Sequence, residues 1–390
     1  MTNLELLIDE FCPNGVEYKS LGQISTDIFR GNGITRDQIT NVGIPCVRYG
    51  EIYTTYGIWF DKCVSHTNVD NIKNAKYFEY GDILFAITGE SVEDIAKSTA
   101  YVGNEKCLAG GDIVVLKHNQ NPKYLSYALS TTATQEQKSK GKVKSKVVHS
   151  SVPSIKEITI PLPPIPVQDE IVRILDNFTE LTAELTAELT ARKKQYEYYS
   201  EKMFLFNDNV DTVNLSEIAE IGTGSSNTNE ELEAGEYPFF VRSQEERRKN
   251  TYEYDETAVI TSGDGVGVGK IFHYIEGKYA LHQRAYRIHI TDERVLPKFF
   301  YYYMKSSFLQ YIEKNSFHSS VTSIRRPMLN QFPVPIPPLK EQERIVSILD
   351  RFDKLCNDIS EGLPAEIAAR QKQYEYYRDK LLTFKEVTNE

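Results

Sequence analysis

Long apolar runs are missing from this chain: stretches such as Ile83–Ile87 stop after a few residues, far short of the roughly 20 that a membrane-crossing helix needs. A bilayer-spanning protein is not expected. Cysteine is scarce and unpatterned, with Cys12, Cys46, Cys63, Cys107 and Cys356 scattered and never spaced as C-x-x-C, which argues against a disulfide framework or a zinc module. They read as ordinary buried thiols. The opening Met1-Thr-Asn-Leu-Glu-Leu-Leu-Ile-Asp-Glu10 is acidic and lacks the basic start and cleavage site of a secretory signal, so the cytoplasm is the expected address. An excess of positive charge is lacking too. Lys and Arg number 45 against 55 Asp and Glu, a net charge of −10, which at face value argues against a protein that grips nucleic acid by charge alone.

What is present suits a globular protein: 390 residues suggest two or three domains, and 40% hydrophobic against 26% charged residues suffice for ordinary cores. The dominant feature is an internal repeat. Pro161-Leu-Pro-Pro-Ile-Pro-Val-Gln-Asp-Glu-Ile-Val-Arg-Ile-Leu-Asp-Asn-Phe178 returns as Pro335-Ile-Pro-Pro-Leu-Lys-Glu-Gln-Glu-Arg-Ile-Val-Ser-Ile-Leu-Asp-Arg-Phe352, so Gln168 matches Gln342 and Asp176 matches Asp350. Lys194-Gln-Tyr-Glu-Tyr-Tyr199 returns as Lys372-Gln-Tyr-Glu-Tyr-Tyr377, with four extra residues between the blocks in the second copy. A repeat of this kind governs the architecture and is sought before anything else.

Each copy opens on a proline-rich boundary and continues with apolar residues at helical spacing. In the first, Ile171, Leu175, Phe178, Leu185, Leu189, Tyr196, Tyr199 and Met203 trace the seam of a coiled coil. A continuous helix of that length reaches about 60 Å. Inside it, Thr182-Ala-Glu-Leu185 and Thr186-Ala-Glu-Leu189 repeat a four-residue unit, with a degenerate copy at Thr179-Glu-Leu181; each unit lengthens a helix by about 6 Å and turns it by about 40°, as an adjustable spacer would. Its counterpart, 354–370, contains Gly362 and Pro364, which predict a break or kink.

Residues 1–160 and 207–334 carry short β-branched and aromatic runs between Gly, Asn and Asp turns, the pattern of mixed α/β globules. The layout is globule (1–160), helix (161–206), globule (207–334), helix (335–390), and none of these four segments is net positive. The globules echo each other faintly: Ile44-Pro-Cys-Val-Arg48 with Tyr237-Pro-Phe-Phe-Val-Arg242, Pro122-Lys-Tyr-Leu125 with Pro297-Lys-Phe-Phe300, and His149-Ser-Ser-Val-Pro-Ser-Ile155 with His318-Ser-Ser-Val-Thr-Ser-Ile324. Beyond the echoes they differ, so they are expected to bind different things.

Catalytic signatures fail. Ser262-Gly-Asp-Gly-Val-Gly-Val-Gly-Lys270 has Asp264 where a phosphate-cradling P-loop needs glycine and Ile271 where it needs Ser or Thr; it reads as a tight loop that lets backbone approach something closely. Asp264, Glu276 and Lys278 have the order of some metal-dependent nucleases, an arrangement that chance supplies readily among 55 acids. No zinc spacing of His and Cys, no G-x-S-x-G elbow, and no Asn-Pro-Pro-Tyr or Asp-Pro-Pro-Tyr stretch occurs. A non-catalytic chain with no metal is expected. Lys138, Lys140, Lys142, Lys144 and Lys146 alternate with neutral residues, a cluster suited either to phosphates or to a solvated surface. Arg48 and Arg242, each after an apolar strand, suit guanine reading, or else a structural salt bridge. His149 and His318 hold the globule or face a ligand.

The doubled proline-rich run followed by Gln-Asp-Glu-Ile or Gln-Glu-Arg-Ile, with dissimilar globules between, resembles the DNA-specificity subunit of type I restriction-modification systems; the Thr-Ala-Glu-Leu units narrow the resemblance to its type IC subgroup. The resemblance implies an α/β chain with two target recognition domains, each reading half of a bipartite asymmetric sequence in double-stranded DNA. It implies two long helices packed as an antiparallel coiled coil, a pseudo-two-fold repeat that docks two methyltransferase subunits. S-adenosylmethionine and ATP would then sit on the methyltransferase and on restriction/translocase subunits, with no cofactor on this chain. By that analogy DNA contacts are expected at Arg48, Tyr49, Thr88, Gly89, Glu90, Ser91 and the lysine cluster, and at Arg242, Ser262, Gly263, Asp264, Gly265, Lys270, Gln283 and Arg284. Partner contacts are expected at Ile171, Leu175, Tyr196, Tyr199, Ile345, Leu349, Tyr374 and Tyr377, with helix-to-helix packing expected to account instead for at least half of the apolar ones. The competing reading is a coiled-coil scaffold whose globules bind proteins.

Overall fold

The computed structural model describes residues 2–72, 74–140, 147–207, 209–315, 323–358 and 360–387. The proline-rich boundary gives way at Ile165 to one unbroken helix that runs to Met203, where the four-residue units had placed it. Threonines inside it are accommodated by bonding back to the preceding turn, as Thr182 does to the Phe178 carbonyl (2.9 Å) and Thr190 to that of Thr186 (2.9 Å). The second copy is broken as Gly362 and Pro364 foretold: one helix spans Leu339–Asn357 and another Leu363–Leu381. A Cβ on Gly362 would stand 2.5 Å from the Lys354 carbonyl oxygen and 2.7 Å from that of Asp358, so only glycine fits the corner.

The chain forms two compact units that cut across the four-segment division. The first comprises residues 1–184 and 367–390, the second 185–366. The central helix contributes to both. In the first unit a five-stranded sheet runs in the order Ser25–Arg30, Ile113–His118, Ile83–Ala86, Ser98–Tyr101, Trp59–Phe60. A second five-stranded sheet is ordered Ile39–Thr40, Ser65–Thr67, Ile44–Val47, Cys107–Ala109, Tyr77–Phe78. The apolar run that includes Ile83–Ala86 is wholly buried, as a central strand covered on both faces should be. In the second unit one six-stranded sheet runs Ala219–Thr223, Ala285–Ile290, Tyr254–Ser262, Phe272–Leu281, Tyr237–Phe240, Arg247–Lys249.

The two units repeat one internal plan. A short antiparallel pair closes each globule, Tyr18 opposite Pro161 in the first and Thr212 opposite Pro335 in the second. Gln168 and Gln342 are both fully buried. The Gln168 side chain accepts from the Asn121 N–H (3.1 Å) and donates to the Pro163 carbonyl (2.8 Å); Gln342 accepts from the Leu296 N–H (2.8 Å) and donates to the carbonyls of Pro337 and Arg294 (each 2.7 Å). The repeated aspartates match too. Asp176 takes the Tyr127 hydroxyl at 2.8 Å and the Lys123 ammonium at 2.7 Å, while Asp350 takes the Tyr302 hydroxyl at 2.5 Å and the Lys298 ammonium at 3.3 Å.

Helix residues also complete each core. In the first unit Tyr374 lies 6.4 Å from Tyr127, ring to ring, Phe178 stacks on Tyr377 at 5.4 Å, and the Val16 N–H donates to the Lys385 carbonyl at 2.8 Å. In the second, Tyr196 meets Phe352 at 6.2 Å and Phe204 meets Phe299 at 5.7 Å. Between these ends the central helix has no buried residue: its buried positions are Val167, Gln168, Glu170, Ile171, Val172 and Leu175.

Candidate nucleic-acid interface

Strand register fixes which residues of the two globules correspond. Ile113 pairs with Ala86 as Ala285 pairs with Ser262, and Ala109 pairs with Val47 as Leu281 pairs with Phe240. The turn bonds agree: the Ile87 N–H donates to the Asp112 carbonyl (3.0 Å) as that of Gly263 does to the Arg284 carbonyl (2.9 Å). At one end of each framework the chain therefore presents equivalent positions with different side chains. Tyr49 stands where Arg242 does, Thr88 where Asp264 does, and Asp112 where Arg284 does. This corrects the sequence pairing of Arg48 with Arg242, since the counterpart of Arg48 is Val241. It also corrects the histidine echo, because His149 pairs with Thr88 as Ser323 pairs with Asp264; His318 lies outside the described residues.

In the second globule three of the expected residues come together. Arg242 Nη1 donates to Asp264 Oδ1 at 2.6 Å and Arg284 Nη1 to Asp264 Oδ2 at 3.1 Å. Partial burial pushes the Asp264 carboxyl up, but the two guanidiniums, Arg242 first, outweigh it and hold the group below the usual carboxylate range. The backbone under Arg284 is fixed by buried His282, whose Nδ1 accepts the Arg284 N–H at 3.0 Å. That bond requires Nδ1 to be unprotonated, and burial holds the imidazole pKa below its ordinary value. Gln283 donates to Asn227 Oδ1 at 2.6 Å, and Lys270 is exposed. Gly265, at φ +85°, turns the loop outward so that Val266 is 97% exposed. Ser262 is not a surface contact: it is fully buried, its hydroxyl donating to the Asp264 carbonyl at 2.8 Å, and Gly263 beside it is buried too.

In the first globule Arg48 is engaged as a structural residue, with Nε 3.2 Å and Nη2 3.1 Å from Glu51 Oε1, and Glu51 is itself buried. Tyr49 is exposed, and Thr88 meets His149 Nδ1 at 3.2 Å. Gly89 is buried, with Tyr53 Oη 2.8 Å from where a Cβ would stand. Glu90 is exposed, while Ser91 donates to Glu93 at 2.6 Å. Sequence reasoning missed Arg30, which pairs with Asp112 and donates to the Gly111 carbonyl, so a guanidinium reaches this end of the first globule from another strand. The run Arg30-Gly-Asn-Gly33 at a strand end was the available signal.

The lysine cluster divides. Lys138 cannot contact phosphate: it is buried on the inner face of the Thr132–Ser139 helix, donating to the Leu129 carbonyl (2.7 Å) and Ser98 Oγ (3.4 Å). Burial alone pushes its pKa down to about 7. Lys140 is exposed; Lys142, Lys144 and Lys146 lie outside the described residues. Because the folded-state pKa lies below the unfolded one, the folded chain binds fewer protons between about pH 7 and 10, and the first unit should gain stability as pH rises through that window. Lys138→Met should flatten this dependence and raise stability at pH 7 by about 2 kcal/mol, the desolvation penalty outweighing the lost bonds. Thermal melts at pH 7 and pH 9.5 check it; a lower midpoint for the variant at pH 7 would contradict it.

Several expected partner contacts prove internal. Ile171, Leu175 and Tyr374 are buried in the first core, Ile345 and Leu349 in the second, because the inward stripe of each helix is consumed by its own globule. Tyr196 packs partly against the second core and Tyr377 is half-buried against Phe178. Tyr199 is exposed, and beside it so is Tyr198, whose repeat counterpart is the equally exposed Tyr376. The two carry matching lysines, Lys202 at 4.5 Å from the Tyr198 ring and Lys380 at 5.8 Å from that of Tyr376.

Among the described residues no group of three or more His, Cys, Asp or Glu could hold a metal ion, and no helix is long and apolar enough to cross a membrane. The nuclease-like order is not a site: Asp264 is held by two arginines, Glu276 accepts the Tyr274 hydroxyl at 2.6 Å, and the Lys278 ammonium lies over the Tyr252 ring.

Two mixed α/β globules on repeated helices define a class of two-domain proteins with an internal repeat, and comparison with known proteins makes the class specific. The model of the type I restriction modification DNA specificity domain matches residues 13–192 and again 207–369. The chain belongs to that family. It is 36% identical over 260 residues to the EcoR124I/EcoR124II specificity subunit of Escherichia coli, an alignment that covers 59% of this chain and 64% of that one. It is 35% identical over 274 residues to a putative type I specificity subunit of Haemophilus influenzae, covering 63% and 68%. The aligned part thus spans about two thirds of these relatives' length. Among solved structures it resembles the S subunit from M. genitalium (TM-score 0.59, 15% identity, 94% and 96% covered) and a chain of a type I R-M system (TM-score 0.62, 16% identity, 95% and 98% covered).

Proposed function

We propose that this chain is the recognition subunit of a type I restriction-modification complex, each globule reading one half of a split, asymmetric sequence in double-stranded DNA. One observation carries the reading: the two globules share a framework yet present different polar side chains at its equivalent end, Tyr49, Thr88 and Asp112 against Arg242, Asp264 and Arg284. A common scaffold with divergent tips is what two readers of different half-sites require. Two methyltransferase subunits dock on the repeated helices, with the exposed tyrosine and lysine pairs among the contacts, and the four-residue units set the gap. This chain does no chemistry; S-adenosylmethionine belongs to the methyltransferases and ATP to restriction and translocase subunits. Much of the phosphate neutralisation then falls to the partners, which accounts for the acidic balance of this chain. Single-molecule sequencing of methylated adenine in the host genome, with and without the gene, tests the proposal. Loss of methylation at one split motif is expected; an unchanged methylome, with the methyltransferase expressed, overturns it.

A further inference from the structure

At the tip of the second globule one carboxylate serves two cations. Arg242 and Arg284 each use a terminal nitrogen on Asp264, which among the described residues leaves one positive charge in excess and most donors of both forks open. Arg284 is the freer, its side chain 62% exposed against 40% for Arg242. Its backbone is the more firmly held, by the His282 imidazole and by the Gly263 N–H on its carbonyl. A long side chain whose root is fixed and whose head is braced loses less freedom when it binds.

Two features choose between a phosphate and a base as its ligand. A phosphate contact would bring an anion beside the Asp264 carboxylate, whereas the acceptors of a base edge are uncharged and meet no such repulsion. The neighbouring Val266, 97% exposed between Gly265 and Gly267, suits the groove floor, where an apolar side chain meets a thymine methyl or a base edge, better than the charged backbone. Among bases, guanine alone offers two acceptors, O6 and N7, side by side in the major groove for a guanidinium fork. We propose that Arg284 reads a guanine in the half-site recognised by the second globule, with Asp264 as the residue that positions it. The inference rests on the recognition role proposed above.

The test uses the full chain in its complex. The wild-type methylome gives the motif; in Arg284→Ala and Arg284→Gln strains one G·C position in one half-site should relax, with the other half-site and the gap unchanged as internal evidence that the complex is folded. Asp264→Asn should relax the same position, which loss of stability alone would not do. Binding of the assembled complex to duplexes carrying 7-deazaguanine, which lacks the N7 acceptor, should weaken about tenfold at one guanine for the wild type and not further for Arg284→Ala. A motif without guanine, full discrimination retained by Arg284→Ala, or wild-type binding indifferent to 7-deazaguanine at every guanine overturns the inference while leaving the recognition role standing. No split motif in the wild type sinks the role itself, a separate outcome.

Discussion

Deleting Thr186–Leu189 is expected to shorten the unspecified gap of the target by one base pair and leave both half-sites unchanged. The deletion removes about 6 Å of helix and about 40° of turn, and one base pair of duplex occupies 3.4 Å and turns by about 34° to 36°. Rotation is matched within a few degrees, and rotation decides which groove edge a globule faces; the excess of about 2 to 3 Å in translation is small enough for loops to take up. The structure supplies the reason why such a change is tolerated. No residue between Phe178 and Met203 of the central helix is buried, so one unit can leave without opening either core. Exposed pairs such as Arg192 with Glu188 at 3.3 Å contribute little to stability. Methylome sequencing of the deletion strain is the measurement, and a motif with altered bases at the old gap would refute the spacer role.

Gln342→Leu should be the most damaging single substitution considered. Leucine nearly matches glutamine in volume, so no cavity forms, but the Leu296 N–H and the carbonyls of Pro337 and Arg294 lose their partner inside the protein. Leaving such groups unpaired costs about 1 to 3 kcal/mol each, and after relaxation a loss of about 3 to 5 kcal/mol is expected. The second unit alone should melt earlier, by roughly 10 °C for a body of its size. Gln168→Leu should do the same to the first. Urea or thermal melts that separate the two transitions check both variants, and an unmoved midpoint would show that water replaces the amide.

These two sites were legible because they recur: Gln168 with Gln342 and Asp176 with Asp350 were matched from sequence, and each pair makes matching bonds. The corner at Gly362 and the unbroken helix through the Thr-Ala-Glu-Leu units were legible because backbone sterics and propensity act locally. The loop tips were read less well. An alternating lysine run carries no information about which ammonium turns inward; the only clue to Lys138 was its place four residues after Thr134, on the same face of a short helix, and both are buried. Which partner candidates stay outside was not legible, because helical spacing identifies an apolar stripe without saying whose core it fills. Arg242, Asp264 and Arg284 were named singly; their convergence depends on pairings between strands distant in sequence, which local patterns do not encode. The one-residue error between Arg48 and Arg242 has the same origin, since strand register is set across the sheet.

The first unit draws its last helix and tail, 367–387, from the far end of the chain, whereas the second is a continuous stretch, 185–366. Synthesis therefore finishes the two in the reverse of the order in which it begins them. While residues 185–366 are being made, roughly 10 to 40 s at ordinary elongation rates, the first globule lacks Tyr374 against Tyr127 and the Lys385 partner of Val16. Until the tail leaves the ribosome, the side chains it covers stay open to water and to chaperones, and a message cut short before residue 367 yields a first globule without these contacts.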